Sequence, residues 1–365
     1  MPIQLITAQQ FLDELTRIPP SHGGGPSLID ARSEDEFAQD HLPGAVNWPS
    51  LNNEERMSVG TLYKQVNAFE ASKLGAALVA HNISQHIQQN VLSCDKSWQP
   101  IVYCWRGGKR SGSLALVLGQ IGFKVKLIEG GYKAYRSALL TELPRKTSTM
   151  SFKVICGPTG SGKTRLLHAL SQSGAQVLDL EALANHRSSV LGRVPGTEQP
   201  SQKHFDTLIG QALRTMNHHQ TIFVEAESKK VGNLAVPEAL IQKMRSSPCI
   251  DLRMNDDARV QLLMQDYSCF VDDSKLFAEK LNALKEIQGR AVIENWQHMI
   301  ANGQIDAAVR ELLLKHYDPT YQKSVERNFL EYQKAAVYEL KTGDPENMSR
   351  LAKTIIAQED QTIKA

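Results

Sequence analysis

The sequence predicts an α/β protein of two domains with a helical extension at its C-terminal end. Three observations lead there. Two short apolar runs, Ile101-Val102-Tyr103 and Phe152-Lys153-Val154-Ile155-Cys156, have the character of buried parallel strands, and each leads into a glycine-rich loop and then a helical pattern. The 365 residues leave room for two cores rather than one. From Asp256 onward apolar residues recur at helical spacing, through Leu262, Leu263, Leu276, Leu281, Leu284, Ile287 and a series from Leu312 to Ile355.

Taken in order, residues 1–20 read as a strand and an amphipathic helix (Phe11, Leu12, Leu15, Ile18) that stops at Pro19-Pro20. Ser21-His22-Gly23-Gly24-Gly25-Pro26 reads as a loop, and Asp30 and Arg32 just after it are expected to brace the fold rather than act. Residues 51–95, with helical patterning around Leu74, Leu78 and Ile83, form an insertion. Cys104 then opens the run Cys104-Trp105-Arg106-Gly107-Gly108-Lys109-Arg110-Ser111. Its glycines let successive backbone N–H groups turn inward as an anion nest, and Arg106, Lys109 and Arg110 add charge that favours a thiolate. Ser113 to Gly119 continues as a helix whose N-terminal dipole also favours an anion at Cys104. A free cysteine is more often buried and inert, but the cations and glycines here point to a nucleophile or a carrier. The Cys-x5-Arg spacing, with Gly107 inside it, also fits a cysteine phosphatase, so two chemistries stay open at this loop.

Thr141 to Met150 is polar, holds Pro144 and is expected to be a connecting loop. The boundaries that follow are a first domain over 1–143, a linker over 144–150, a second domain over 151–255 and a helical region over 256–365. After the strand at Phe152–Cys156 comes Gly157-Pro158-Thr159-Gly160-Ser161-Gly162-Lys163-Thr164, a complete Gly-x-x-x-x-Gly-Lys-Thr loop in its strand–loop–helix setting. Gly157, Gly160, Ser161, Gly162 and Lys163 are the expected cradle for a di- or triphosphate, and Thr164 can reach Mg²⁺. Gln176–Glu181 and Thr221–Glu227 are expected as further strands ending in carboxylates that contact a metal or position a reactant. Only one acid of each pair, Asp179 or Glu181 and Glu225 or Glu227, is expected to face the phosphate. His316-Tyr317-Asp318-Pro319-Thr320-Tyr321 reads as a turn, and the C-terminal helices as packing and surface.

Net charge is +2, which conceals an uneven distribution. Residues 1–70 hold 4 Lys/Arg against 10 Asp/Glu, whereas residues 71–150 hold 11 against 3. The stretch around Cys104 is thus basic and suits a polyanion such as RNA, which is bound largely through its phosphates. No run approaches the ~18 apolar residues of a membrane span, and Met1-Pro2-Ile3-Gln4 lacks the basic start of a signal peptide. Five cysteines without paired metal-ligand spacing fit reduced thiols and a cytoplasmic location. Cys156, Cys249 and Cys269 are expected to pack, and Cys94 either to pack or to resolve a bond at Cys104.

Further stretches carry a resemblance. Leu28-Ile29-Asp30-Ala31-Arg32, Glu36-Phe37, His41-Leu42-Pro43-Gly44-Ala45-Val46-Asn47 and Leu127-Ile128-Glu129-Gly130-Gly131-Tyr132 are similar to the rhodanese-homology pattern around an active-site cysteine. Such a rhodanese-like domain followed by a P-loop NTPase-like domain resembles the bacterial tRNA 2-selenouridine synthases, over nearly the whole chain. Asp179-Leu180-Glu181-Ala182-Leu183-Ala184-Asn185-His186-Arg187, Pro200-Ser201-Gln202-Lys203-His204-Phe205 and Val224-Glu225-Ala226-Glu227-Ser228-Lys229-Lys230-Val231-Gly232 match that family too. Ser188 stands where the family has glycine, and Leu191 where it has phenylalanine.

The resemblance implies a two-stage exchange on the wobble uridine of certain tRNAs. Sulfur at position 2 of the base first displaces pyrophosphate from geranyl diphosphate; selenium from selenophosphate then replaces the S-geranyl group. Cys104 would serve the selenium stage inside its nest of Arg106, Gly107, Gly108, Lys109 and Arg110, and Lys163 would neutralise the departing pyrophosphate. Trp105, Asp179, Glu181, His186, Arg187, Glu225 and Glu227 are the remaining candidates for contact with substrate. No tightly bound cofactor is expected, nor a membrane or DNA partner. The two loops also allow a rhodanese-regulated kinase or NTPase, or a cysteine phosphatase coupled to a nucleotide-binding module.

Overall fold

The computed structural model describes residues 3–15, 24–187, 197–266 and 273–364. Ile18, Pro19-Pro20, Ser21 to Gly23, Ser188, Leu191 and Cys269 lie outside the described residues. The chain divides into two compact units, residues 1–145 with 200–215, and residues 146–199 with 216–365.

The first unit is built on a five-stranded parallel sheet in the order β1-β5-β4-β2-β3, comprising β1 (Gln4–Ile6), β2 (Leu28–Asp30), β3 (Val46–Asn47), β4 (Ile101–Tyr103) and β5 (Lys126–Ile128). Between the strands run α1 (Ala8–Glu14), α2 (Glu34–Gln39), α3 (Asn53–Gln65), α4 (Ala68–His86) and α5 (Lys109–Ile121). Caps explain several boundaries. Thr7, Ser33 and Asn52 form capping boxes with Gln10, Glu36 and Glu55, and Gly122, with φ 117°, ends α5. The side chains of β4 alternate between two cores. Val102 and Cys104 enter one with Leu114, Leu118 and Trp98; Ile101 and Tyr103 enter the other with Phe11, Tyr132 and Tyr135. The 51–95 insertion is helical as expected, a pair formed by α3 and α4.

The expected linker is not a loop. α6 (Gly131–Thr149) includes Pro144 in its interior. Leu139, Leu143, Thr147 and Met150 recur on one buried side. Burying each of the three apolar ones is worth about 1.5–3 kcal/mol, against roughly 3 kcal/mol for an interior proline, so the stripe prevails over the breaker. A later helix, α9 (Gln202–Thr215), also belongs to this first unit. His204 Nδ1 and Thr207 Oγ1 meet the Asp40 carboxylate at 3.2 and 3.1 Å, and Arg136 pairs with Asp206.

The second unit holds another all-parallel sheet, ordered β12-β11-β6-β8-β7. Its strands are β6 (Phe152–Cys156), β7 (Gln176–Leu178), β8 (Ile222–Glu225), β11 (Cys249–Met254) and β12 (Ala336–Leu340), with a small β9–β10 hairpin (Lys230–Val231, Leu234–Ala235). Around the sheet lie α7 (Lys163–Gln172), α8 (Leu180–Leu183), α10 (Glu238–Arg245) and α11 (Asp256–Asp266). Then follow α12 (Ser274–Lys280), α13 (Lys285–Gln288), α14 (Arg290–Ala301), α15 (Ile305–Leu312), α16 (Asp318–Asn328) and α17 (Pro345–Lys364). Two expectations for the C-terminal region fail. Residues 336–340 are a strand, the sheet edge beside β11, because Ala336-Val337-Tyr338-Glu339-Leu340 can pair with it residue for residue. His316–Tyr321 is not a turn but helical chain, with Pro319 in the first turn of α16, where no N–H is required of it.

Candidate functional site

In the first unit Cys104 directly follows β4 and is buried. The Ser111 hydroxyl donates to its sulfur at 3.0 Å from the first turn of α5, whose N-terminal end faces the same loop. Residues 131–133 latch the loop. The Tyr132 N–H donates to the Cys104 carbonyl at 2.8 Å and the Lys133 N–H to the Trp105 carbonyl at 3.0 Å. That closeness requires glycine. Gly131 has φ 57°, and a Cβ there would collide with the Cys104 carbonyl oxygen and lie 2.7 Å from the Gly107 nitrogen.

The cations of the nest divide. Arg106 and Lys109 are exposed, whereas Arg110 turns to Glu36 at 2.6 Å. Burial pulls the Glu36 carboxyl upward, yet Arg110 and Arg56 outweigh it and hold the group below its usual range. Arg110 is therefore a brace, contrary to its expected place in the nest. A Cys-x5-Arg phosphatase needs that guanidinium at the phosphate, so the pairing weighs against that alternative. Trp105 is half-buried, stacked on Tyr132 at 5.3 Å, with the Lys203 ammonium 5.9 Å from its ring centre. Asp30 and Arg32 form a buried pair at 2.6 Å, and Arg32 also donates to the Asp40 carbonyl. The Cys94 thiol donates to the Asn90 carbonyl at 3.2 Å.

In the second unit the P-loop joins β6 to α7 and opens on a cavity of about 610 Å³. Lys163 Nζ donates to the Gly157 and Pro158 carbonyls at 2.8 and 3.4 Å. Two residues that sequence reasoning missed hold the loop. The Gly157 N–H donates to the Tyr321 hydroxyl at 2.6 Å, and Arg259 donates twice to the Thr159 carbonyl while pairing with Asp318. Only three-dimensional contact reveals them, since they lie 100 and 164 residues from their partners in sequence.

Glu181, Glu225 and Glu227 bring carboxylate oxygens within 4.8 Å of one another at this cavity. The expectation that one of Glu225 and Glu227 turns away is overturned. Residues two apart on extended chain share a face, and both reach the cavity. Glu225 is pushed up to about 8, by burial first and by Glu181 next, against the opposing pull of Lys163 and a hydrogen bond from Thr164. Its Oε1 is buried without a hydrogen-bond partner among the described residues. The set of three carboxylates and the Thr164 hydroxyl is all oxygen, which suits a hard divalent cation such as Mg²⁺.

Arg187 lines the same cavity, but Asp179 and His186 do not. Asp179 does not continue β7; it caps α8 through the Ala182 N–H at 2.8 Å and pairs with His168. Burial lowers the His186 imidazole, whose Nδ1 has no hydrogen-bond partner among the described residues.

Fold and loops together define a class: a rhodanese-like domain with an active-site-type cysteine, joined to a P-loop domain with an acidic, partly apolar cavity. Residues 8–138 match the model of the rhodanese-like domain, and residues 150–274 that of the tRNA 2-selenouridine synthase AAA domain. A tRNA 2-selenouridine synthase of Shewanella denitrificans is 32% identical over 347 residues, 87% of this chain and 91% of that protein. Another from Nitrosomonas europaea is 41% identical over 244 residues, 66% of this chain and 63% of its own length. The chain belongs to the tRNA 2-selenouridine synthase family, whose members are tRNA-modifying enzymes. A solved rhodanese-like domain protein of Staphylococcus aureus is 20% identical with a TM-score of 0.24, covering 36% of this chain and 91% of that one. No helix among the described residues is long and apolar enough to cross a membrane.

Proposed function

We propose that this chain converts 2-thiouridine at the tRNA wobble position to 2-selenouridine, using geranyl diphosphate and selenophosphate. Within that family identity, the observation that carries the chemistry is the cavity of the second unit. It joins a P-loop lysine and three carboxylates to an apolar wall, as an allylic diphosphate requires. In the first stage the base sulfur attacks C1 of the geranyl group, the C1–O bond breaks, pyrophosphate leaves and the base gives up its N3 proton. Lys163 and the N–H groups at the start of α7 stabilise the charge that develops on the leaving group. Mg²⁺, if held by Thr164 and the glutamates, supplies further neutralisation of that charge. Alkylation turns the sulfur into a leaving group: the selenium of selenophosphate adds at C2, the C2–S bond breaks and the geranyl thiol departs. Water then takes the phosphoryl group from selenium, breaking the P–Se bond and releasing phosphate to leave 2-selenouridine.

Cys104 acts in this second stage as the thiol that meets selenophosphate, its sulfur beside the Ser111 hydroxyl and the N-terminal end of α5. Arg106 and Lys109 attract the selenophosphate anion. The substrate tRNA suits the basic balance of residues 71–150.

Nucleoside mass spectrometry of tRNA treated with the purified chain tests the proposal. Cys104→Ala should stop selenium entry and let S-geranyl-2-thiouridine accumulate, whereas Lys163→Ala should stop geranylation. Both variants yielding 2-selenouridine at the wild-type rate would refute it. So would a chain that hydrolyses ATP through Lys163 with no effect on thiolated tRNA, which is the outcome a rhodanese-regulated NTPase predicts.

A further inference from the structure

We propose that the P-loop cavity continues into a subsite for the prenyl tail of the allylic diphosphate, walled by one face of α16, and that Phe329 limits the length of tail accepted. The inference rests on geranyl diphosphate being the co-substrate and identifies the residues that select it. Tyr321, Val325 and Phe329 follow one another at intervals of four residues along α16 and its C-cap, so they form a single stripe, and all three line the cavity. Tyr321 fixes the head end of this stripe. Its hydroxyl accepts the Gly157 N–H at 2.6 Å, and Lys163 Nζ lies 5.6 Å from its ring centre. Phe329, eight residues on, stands about 12 Å further along the helix axis.

The apolar surface begins directly at the P-loop. A Cβ added to Gly160 would lie 3.0 Å from the Leu263 side chain, and Leu262 and Leu263 line the same space. The cavity thus changes along its length, from an ammonium and carboxylates at one end to Val325 and Phe329, 1% and 5% exposed, at the other. Thr320 and Ser324 border this stripe, but Val325 and Phe329 themselves offer nothing to hydrogen-bond a ribose or base, whereas a hydrocarbon tail gains from every contact with them. The eight-carbon main chain of a geranyl group fits within the two helical turns between Tyr321 and Phe329. The twelve-carbon main chain of a farnesyl group would run into the Phe329 ring, and a packed wall resists such overlap.

The test is competition among dimethylallyl, geranyl and farnesyl diphosphate for thiolated tRNA, with the full chain as catalyst and S-prenyl nucleosides quantified by mass spectrometry. Inhibition by inorganic pyrophosphate reports in parallel that the head site is intact. Wild type should favour geranyl at least tenfold over either rival. Val325→Phe should cut geranyl use at least tenfold while dimethylallyl use holds, and Phe329→Ala should raise the farnesyl share at least tenfold. If Val325→Phe loses pyrophosphate inhibition, Phe329→Ala decides alone. Variants that keep both pyrophosphate inhibition and the wild-type order of preference would overturn the tail subsite and leave the geranyl reaction standing. A wild-type chain that uses none of the three diphosphates would overturn both.

Discussion

Gly131→Ala should disable the cysteine loop while sparing the P-loop stage, and the size of the effect follows from the latch. At φ 57° an alanine pays about 1–2 kcal/mol for the left-handed backbone. Its Cβ would also collide with the Cys104 carbonyl and crowd the Gly107 nitrogen, both backbone atoms that cannot swing aside. Relief requires the loop to withdraw, giving up the Tyr132–Cys104 and Lys133–Trp105 hydrogen bonds, each worth about 1 kcal/mol net. The total, about 3–4 kcal/mol, is a sizeable part of a typical folding stability of about 5–15 kcal/mol. A shift of the thiol by about 1 Å is enough to slow its chemistry about 100-fold. Three measurements apply: the urea midpoint, the alkylation rate of the Cys104 peptide by iodoacetamide, and the yields of S-geranyl- and 2-selenouridine. The variant should unfold at lower urea, alter Cys104 alkylation and accumulate the S-geranyl nucleoside. Wild-type values for urea midpoint and selenium incorporation would refute the reasoning.

Other outcomes follow from the same geometry. Glu225, pushed up to about 8 by burial, keeps a proton that the unfolded chain has already released, so its contribution to stability is lost as pH rises from the ordinary carboxylate range toward 8. Glu225→Gln should therefore show a flatter dependence of urea midpoint on pH over about 5 to 8 than wild type, and parallel profiles would contradict this. Asp30→Asn leaves Arg32 buried beside a neutral amide and should cost about 3–5 kcal/mol, read from urea unfolding, since the pair is 0% and 1% exposed. Arg259→Ala frees the Thr159 carbonyl and Asp318 together. It should raise the KM for geranyl diphosphate at least tenfold in steady-state assays, with selenium entry into pre-geranylated tRNA unchanged.

Much of this protein was legible in its sequence because the informative signals are local. The strand ends at Tyr103 and Cys156 and the loops after them need only neighbouring residues to be recognised. What stayed hidden depends on distant partners. Pro144 signals a break, yet the buried stripe Leu139, Leu143 and Met150 carries α6 through it. Residues 336–340 become a strand only because β11 offers a free edge. Asp179 ends an apolar run as a catalytic acid would, but a short following helix uses it as a cap. Arg110 has the spacing of an anion ligand and is claimed by Glu36, 74 residues away. Tyr321, Arg259 and Asp318 carry no motif at all, so the support beneath the P-loop was invisible until the C-terminal helices were placed.

The membership of α9 in the first unit means that the polypeptide passes from one unit to the other three times. No single scission can separate two self-sufficient halves. A fragment ending at residue 145 would strip His204 and Thr207 from Asp40, itself 1% exposed, and leave Arg136 without Asp206. Gene fission or recombination at that boundary would thus injure the thiol-bearing half as surely as the half removed, which binds the inheritance of the two units to one open reading frame.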